Sequence, residues 1–219
     1  MEHIIVDGAS TDGTLDVVRR NAQRVSQIIS EPDEGAYDAF NKGLRAATGD
    51  AIGFLGCGDV YNSPSAVATI VQVFSDPSVD AVFGDLVIVS EGDSKKILRR
   101  YRSKFFAPQR MAYGFMPAHP TLFLRRHVYD RVGEYRTDYR IAADFEMCLR
   151  VFVNAPIRYV YIPEVLVRMR AGGLSNAGWK SKAAITKEMR FACAANGVAT
   201  NALKLYVRFP FKILEMLAR

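Results

Sequence analysis

Apolar residues along this chain alternate between short unbroken runs and helix-spaced positions, and that alternation sets the expected architecture. His3–Asp7 (HIIVD) is an apolar run closed by Gly8-Ala9-Ser10-Thr11-Asp12-Gly13. It predicts a strand, a turn and a helix from about Thr14 to Arg24. Ser26–Ser30 reads as a second short strand. Ala36, Phe40, Leu44 and Ala47 then recur at the helical period, and Gly49 ends that helix. Ala51–Leu55 is a third strand and runs into Gly56-Cys57-Gly58-Asp59. A helix follows from about Pro64 to Phe74, and Ala81–Val89 and Lys96–Tyr101 read as strands around Glu91-Gly92-Asp93-Ser94. Strands alternating with helices in this way predict a parallel α/β sheet over the first ~90 residues.

The second half is less regular. It predicts a strand at Thr121–Leu124, a helix at Ala142–Phe152, a strand at Ile157–Tyr161 and helices at Lys180–Ala195 and Leu203–Leu217. No linker rich in Pro, Gly or Ser divides the chain. The expectation is one domain over residues 1–200, with halves at 1–90 and 91–200, followed by a basic amphipathic segment at 201–219. Leu203–Leu217 mixes basic residues with Tyr206, Phe209, Phe211 and Leu214, so it suits either packing on the domain or an interfacial helix; Pro210 interrupts it in both cases.

Composition narrows the class. With 219 residues, 49% of them hydrophobic, the chain can bury a sizeable core. Its apolar runs fall short of the roughly 20 residues that cross a bilayer, and its start lacks the basic-then-apolar order of a signal peptide. Cys57, Cys148 and Cys193 are widely spaced and form no CxxC pair, which suits a reducing, cytoplasmic setting. The net charge of +6 conceals a division. Residues 1–90 hold 5 Lys and Arg against 13 Asp and Glu, a net of −8, and residues 91–219 hold 24 against 10, a net of +14. A basic half suits phosphate-bearing ligands, an anionic membrane or a solvated face; nucleic acid is set aside because no recognition module is present.

Four side chains stand where chemistry is possible. Asp59 lies at a strand end between flexible glycines, where a diphosphate or a hard cation can approach the backbone. Asp7 also ends a strand, and capping the next helix is its alternative role. His119 precedes Pro120 and an apolar strand, as a structural histidine or as a ligand. Asp144, in IAADFEMCLR, opens a helix, where it is either an N-terminal cap or a deprotonated base facing a substrate.

Taken in order, the motifs resemble those of the family 2 glycosyltransferases. They are VDGASTDGT at 6–14, DEGAYDAFNKG at 33–43, ATGD at 47–50, FLGCGD at 54–59, AHPTLFLRR at 118–126, AADFEMCLR at 142–150 and GGLSN at 172–176. The resemblance covers residues 2 to about 176 and is closest to bacterial members that build exopolysaccharides or cell-envelope glycolipids. It implies an α/β fold of the GT-A type, a nucleotide-diphosphate sugar donor and a divalent metal, Mg or Mn. Asp7, Asp33, Asn41, Lys42, Gly58 and Asp59 would then bind the donor, Asp59 and His119 the metal, and Asp144 would be the catalytic base of an inverting transfer. It also implies a glycolipid or polysaccharide acceptor, with peripheral membrane association and a homo-oligomer compatible with it. A nucleotidyltransferase is disfavoured, since its first strand should carry a Gly-rich loop with Lys or Arg. A catalytically silent nucleotide-sugar-binding remnant is the remaining alternative.

The pattern departs from the family at two places. Gly56, Cys57 and Gly58 stand where an acidic or Asn residue is usual in the metal motif. The match also begins almost at Met1, without the family's first strand and helix. That strand would lie between the strands at His3–Asp7 and Ala51–Leu55, so the expectation is that its loss leaves these two unpaired, with buried donors and acceptors unsatisfied, or forces a new pairing.

Overall fold

A computed structural model describes residues 1–172 and 179–211. The strands are β1 (Ile4–Asp7), β2 (Gln27–Ser30), β3 (Ala51–Gly53), β4 (Val60–Tyr61), β5 (Ala81–Val89), β6 (Ile97–Tyr101), β7 (Phe123–Arg125) and β8 (Tyr159–Arg170). The α-helices are α1 (Thr14–Asn21), α2 (Ala36–Ala46), α3 (Ala66–Val73), α4 (Arg126–Val132), α5 (Ala143–Leu149), α6 (Trp179–Ala195) and α7 (Ala202–Tyr206). Short 3-10 turns occupy Ser103–Phe105, Pro108–Tyr113 and His119–Thr121, and a π-helical turn, Arg150–Asn154, extends α5.

β5 is the centre of the molecule. All nine of its residues are buried, as in a strand covered on both faces. Phe83 points into a core that also holds Leu44 of α2, Val128 of α4, Phe145 of α5 and Met189 of α6. Val82, Leu86 and Ile88 point the other way, toward Ile70 of α3 and Leu166 of β8. This period-two division puts an apolar layer on each side of the sheet.

The expected parallel sheet over the first ~90 residues is not formed. β1 and β2 pair in parallel as a separate two-stranded sheet. β3 instead joins a six-stranded mixed sheet, ordered β3-β7-β5-β8-β4 with β6 on β5, and pairs antiparallel with β7. β1 and β3 are therefore in different sheets. They are held side by side by α2, where a Cβ on Gly43 would lie 3.4 Å from Val6 of β1 and 4.0 Å from Phe54 beyond β3. Thr48 adds a tie, its backbone N–H donating to Glu2 at 2.7 Å.

β8 is the largest departure among the strands. The apolar run predicts an end at Tyr161, yet the strand continues to Arg170. Pro163 explains the misreading, because proline within a strand belongs at bulges. The register passes from Phe83↔Tyr161 to Asp85↔Val165, so the extra residues around Pro163 are accommodated as a bulge. β4 has only two residues and no sequence signal of its own, but it pairs Val60 with Arg168 and Tyr61 with Val167. The helix expected at Leu203–Leu217 is observed as α7 with a further helical turn over 208–211. Residues 212–219 and most of the GGLSN motif lie outside the described residues.

Candidate active site

The strand ends of the first half gather the acidic residues of the first motifs. Asp7 closes β1 and is buried, and its Oδ2 accepts the Ser10 backbone N–H at 3.0 Å and the Ser30 hydroxyl at 2.8 Å. Those bonds, the Ser10 hydroxyl first, hold its carboxyl below the usual carboxylate value. Asp33 lies against the same turn: a Cβ on Gly8 would sit 2.5 Å from its Oδ2, so glycine is required for the two to meet. Its Oδ1 accepts the Gly35 N–H at 2.9 Å. Lys42 reaches back from α2 to the Pro32 carbonyl at 2.6 Å and pairs with Glu31 at 3.1 Å and Asp38 at 3.5 Å. Its ammonium thus fastens the loop bearing Asp33.

Asn41 is buried and both ends of its amide are engaged. It donates to the Tyr135 carbonyl and accepts the Tyr135 N–H, both at 2.8 Å, and so joins α2 to the chain after α4. Asn41, expected to bind the donor, thus ties α2 to this segment.

Asp59 lies beyond β3 at the end of a tight turn. Its N–H donates to the Gly56 carbonyl at 3.1 Å, and Gly58 takes φ +87°, where glycine is favoured. Asp59 Oδ1 accepts the Arg170 N–H from β8 at 3.2 Å. Oδ2 makes no protein hydrogen bond among the described residues. Desolvation pushes this carboxyl above its ordinary value, and no cation among the described residues pairs with it. A half-buried carboxylate with an open oxygen suits a hard cation that takes its remaining ligands from diphosphate and water. Among the described residues no three His, Cys, Asp or Glu side chains converge on a metal position.

His119 belongs to a different environment. It stacks on Phe40 at 5.7 Å, and its Nε2 meets the Tyr135 hydroxyl at 2.9 Å. Burial lowers its pKa to about 4, so the ring is neutral near neutral pH. Its Nε2 is committed to Tyr135, so Nδ1 is the ring nitrogen left for the expected metal role beside Asp59. Tyr37, Phe40, Phe54, Tyr129 and Tyr135 complete the aromatic cluster that joins α2, the end of β3 and α4.

Asp144 sits in the first turn of α5, and its Oδ1 accepts the Phe145 N–H at 2.7 Å. Desolvation by the surrounding apolar atoms dominates the helix dipole and the hydrogen bonds, raising its pKa from 3.8 to about 6. Two side chains hold the segment that presents it. The Tyr37 hydroxyl donates to the Ile141 carbonyl at 2.5 Å. Glu188 of α6 accepts three consecutive backbone N–H groups, from Arg140 at 3.2 Å, Ile141 at 2.9 Å and Ala142 at 2.8 Å. Glu188 also faces Asp144 as a like charge and contributes to its upward shift.

Sequence reasoning missed both holders. Tyr37 lies inside a quoted motif, so a signal existed; Glu188 is one acid in a helix rich in Lys and Arg and gave none. Asp85 was missed as well. It is buried on β5 and accepts from Arg100, the Ser103 N–H and the Tyr161 hydroxyl, each at 2.9 Å, which ties β5, β6 and β8 together. Arg125 and Arg126, which end AHPTLFLRR, bind backbone carbonyls at Phe74, Asp76 and Val79 and at Ala47 and Gly49.

Carboxylates at strand ends, a raised carboxyl at a helix start and a mixed sheet between helical layers fit an α/β fold of the GT-A type. The chain belongs to glycosyl transferase family 2, whose sequence profile matches residues 1–133. It is 32% identical over 181 residues to a PGL/p-HBAD biosynthesis glycosyltransferase of Mycobacterium bovis, covering 80% of this chain and 68% of the relative. An uncharacterized glycosyltransferase of Mycobacterium tuberculosis is 31% identical over 154 residues, 68% of this chain and 56% of that protein. Among solved structures, the fold resembles the mannosyltransferase PcManGT of Pyrobaculum calidifontis in complex with GDP-Man and Mn2+, with TM-score 0.63 and 22% identity. That match covers 99% of this chain but spans only 64% of the mannosyltransferase. It also resembles S. aureus TarS in complex with UDP-GlcNAc, with TM-score 0.65 and 17% identity, over 88% of this chain and 56% of TarS.

Proposed function

We propose that this protein is an inverting glycosyltransferase that moves a sugar from a nucleotide-diphosphate donor to a hydroxyl of a cell-envelope glycolipid or polysaccharide. The observation that carries the reading is the separation of two carboxylates by environment. Asp59 has an open oxygen on the donor side, and Asp144 has a pKa raised into the range useful to a general base. The acceptor hydroxyl gives its proton to Asp144 as its oxygen bonds to the anomeric carbon. On the opposite face the bond from that carbon to the diphosphate breaks, and the nucleoside diphosphate leaves with the electron pair. Asp7 and Asp33 shape the nucleotide end, Lys42 and Asn41 hold their supporting loop and helix, and Tyr37 and Glu188 orient the base.

Asp59 would hold a divalent ion, which when bound supplies positive charge to the departing diphosphate. The bound GDP-Man, Mn2+ and UDP-GlcNAc of the two structural relatives support a nucleotide-sugar donor with a metal. The relative named for PGL/p-HBAD biosynthesis is compatible with such an acceptor, and we place the work at the inner face of the plasma membrane.

Calorimetric titration with UDP and GDP, with and without Mn2+, tests the donor half. Wild type is expected to bind one of them more tightly with the metal, and Asp59→Ala to lose that enhancement. An enhancement that survives the substitution rules Asp59 out as the metal ligand.

A further inference from the structure

We propose that the face built by α7 and the Pro108–Tyr113 turn docks the protein on an anionic lipid surface. On α7, Leu205 is fully buried, whereas Leu203, Tyr206 and Val207 are 79%, 46% and 39% exposed. Their i, i+3, i+4 spacing aligns them in one stripe, so the helix buries one apolar side and presents another to solvent. Phe211, half-exposed, extends the stripe and packs edge-on against Phe115 at 5.2 Å. Tyr113, also exposed, joins it through Lys204, whose ammonium lies 5.7 Å from the ring centre, and Thr200 fixes the two elements by donating to the Ala112 carbonyl.

Charge selects the occupant. Lys104, beside Phe105, is exposed, and the stretch from Ser94 to Tyr129 holds no Asp or Glu. Lys204 is half-exposed on α7, and residues 189–211 hold no acid. Arg110 is exposed on the same turn as Tyr113 and fixes it by donating to the Phe105 carbonyl at 2.7 Å, and Phe105 is itself 61% exposed. Exposed apolar side chains interleaved with Lys104, Arg110 and Lys204, on segments whose sequence holds no Asp or Glu, match an anionic membrane interface, where insertion of the one adds to attraction of the other. No helix among the described residues is long and apolar enough to cross a membrane, so this contact is a surface one.

This face gives the membrane partner of the proposed function, and it rests on that reading only for its biological sense. Its test needs neither donor nor turnover. Full-length protein is mixed with vesicles of phosphatidylcholine alone or with about one third phosphatidylglycerol, and bound protein is measured by flotation at rising salt. Wild type should float with the anionic vesicles, release as salt rises and ignore the neutral ones. Leu203→Glu and Lys204→Glu, at exposed and half-exposed positions where folding is checked by circular dichroism, should each weaken binding on the order of tenfold or more. No flotation, equal flotation with neutral vesicles, or folded variants that bind like wild type would overturn the proposal. So would a wild-type dimer in sedimentation that Leu203→Glu dissociates, since the stripe would then cover a second copy. Vesicle binding by a protein that fails the nucleotide titration supports the face and removes only the transfer reaction.

Discussion

Asp144 faces opposed demands. A base must be ionised to accept a proton, yet burial makes ionisation costly, and the result is a carboxyl poised at about 6. Its folded value lies above the ordinary 3.8, so the folded state binds the proton more tightly than the unfolded state does. The associated stability is fully present below about 4 and is lost as pH rises through about 6. Asp144→Asn should therefore melt higher than wild type at neutral pH, by on the order of a few degrees, while turnover falls about 10²- to 10⁴-fold. A lower melting temperature in scanning calorimetry would contradict the strained-base reading.

Glu188 makes a second residue-scale prediction. Glu188→Gln keeps one accepting oxygen but removes the like charge, so the acidic limb of the pH–rate profile should move to lower pH. Glu188→Ala leaves three backbone N–H groups without their acceptor and should cost about 1–3 kcal/mol of stability in urea denaturation. An unmoved limb in the Gln variant would leave Glu188 with a purely structural role. Asp59 and Asp144 were visible in the sequence because each sits where a motif meets an element end. Glu188 was invisible because its role depends on α6 crossing the start of α5, a tertiary contact that helical periodicity does not encode.

At the scale of elements, legibility follows burial. β5 is read correctly to both ends because a strand buried on both faces is an unbroken apolar run. β8 is read short because Pro163 interrupts the same signal at a bulge. Gly84 faces that bulge: a Cβ there would lie 2.7 Å from Leu166 and 3.0 Å from the Glu164 carbonyl oxygen. Gly84→Ala should accordingly destabilise by about 1–3 kcal/mol, since backbone as well as side chain must yield. A chemical melt unchanged by the substitution would show that the bulge is softer than its contacts imply. Pairing partners were less legible than the strands themselves. β3 pairs with β7 across some seventy residues of sequence, and nothing in either run specifies the other.

The whole molecule divides its labour by charge and by sheet. The acidic first half presents Asp7, Asp33 and Asp59 near strand ends, and the basic second half carries Asp144, proposed as the base, and the face proposed to meet lipid. α2 is the link between them: Lys42 serves the donor loop, Asn41 and Tyr37 reach across to Tyr135 and Ile141, and Phe40 enters the aromatic cluster with His119. A chain organised in this way should couple donor binding to the placement of Asp144. The most direct measurement follows nucleoside diphosphate released from nucleotide sugars in the presence of Mn2+ and a membrane-lipid extract as acceptor source, for wild type and Asp144→Asn, across the acidic pH range. Wild-type turnover should rise through a pH of about 6, and the Asn variant should bind donor normally yet turn over at least about a hundredfold more slowly. Equal turnover by the two proteins would contradict the assignment of Asp144 as the base.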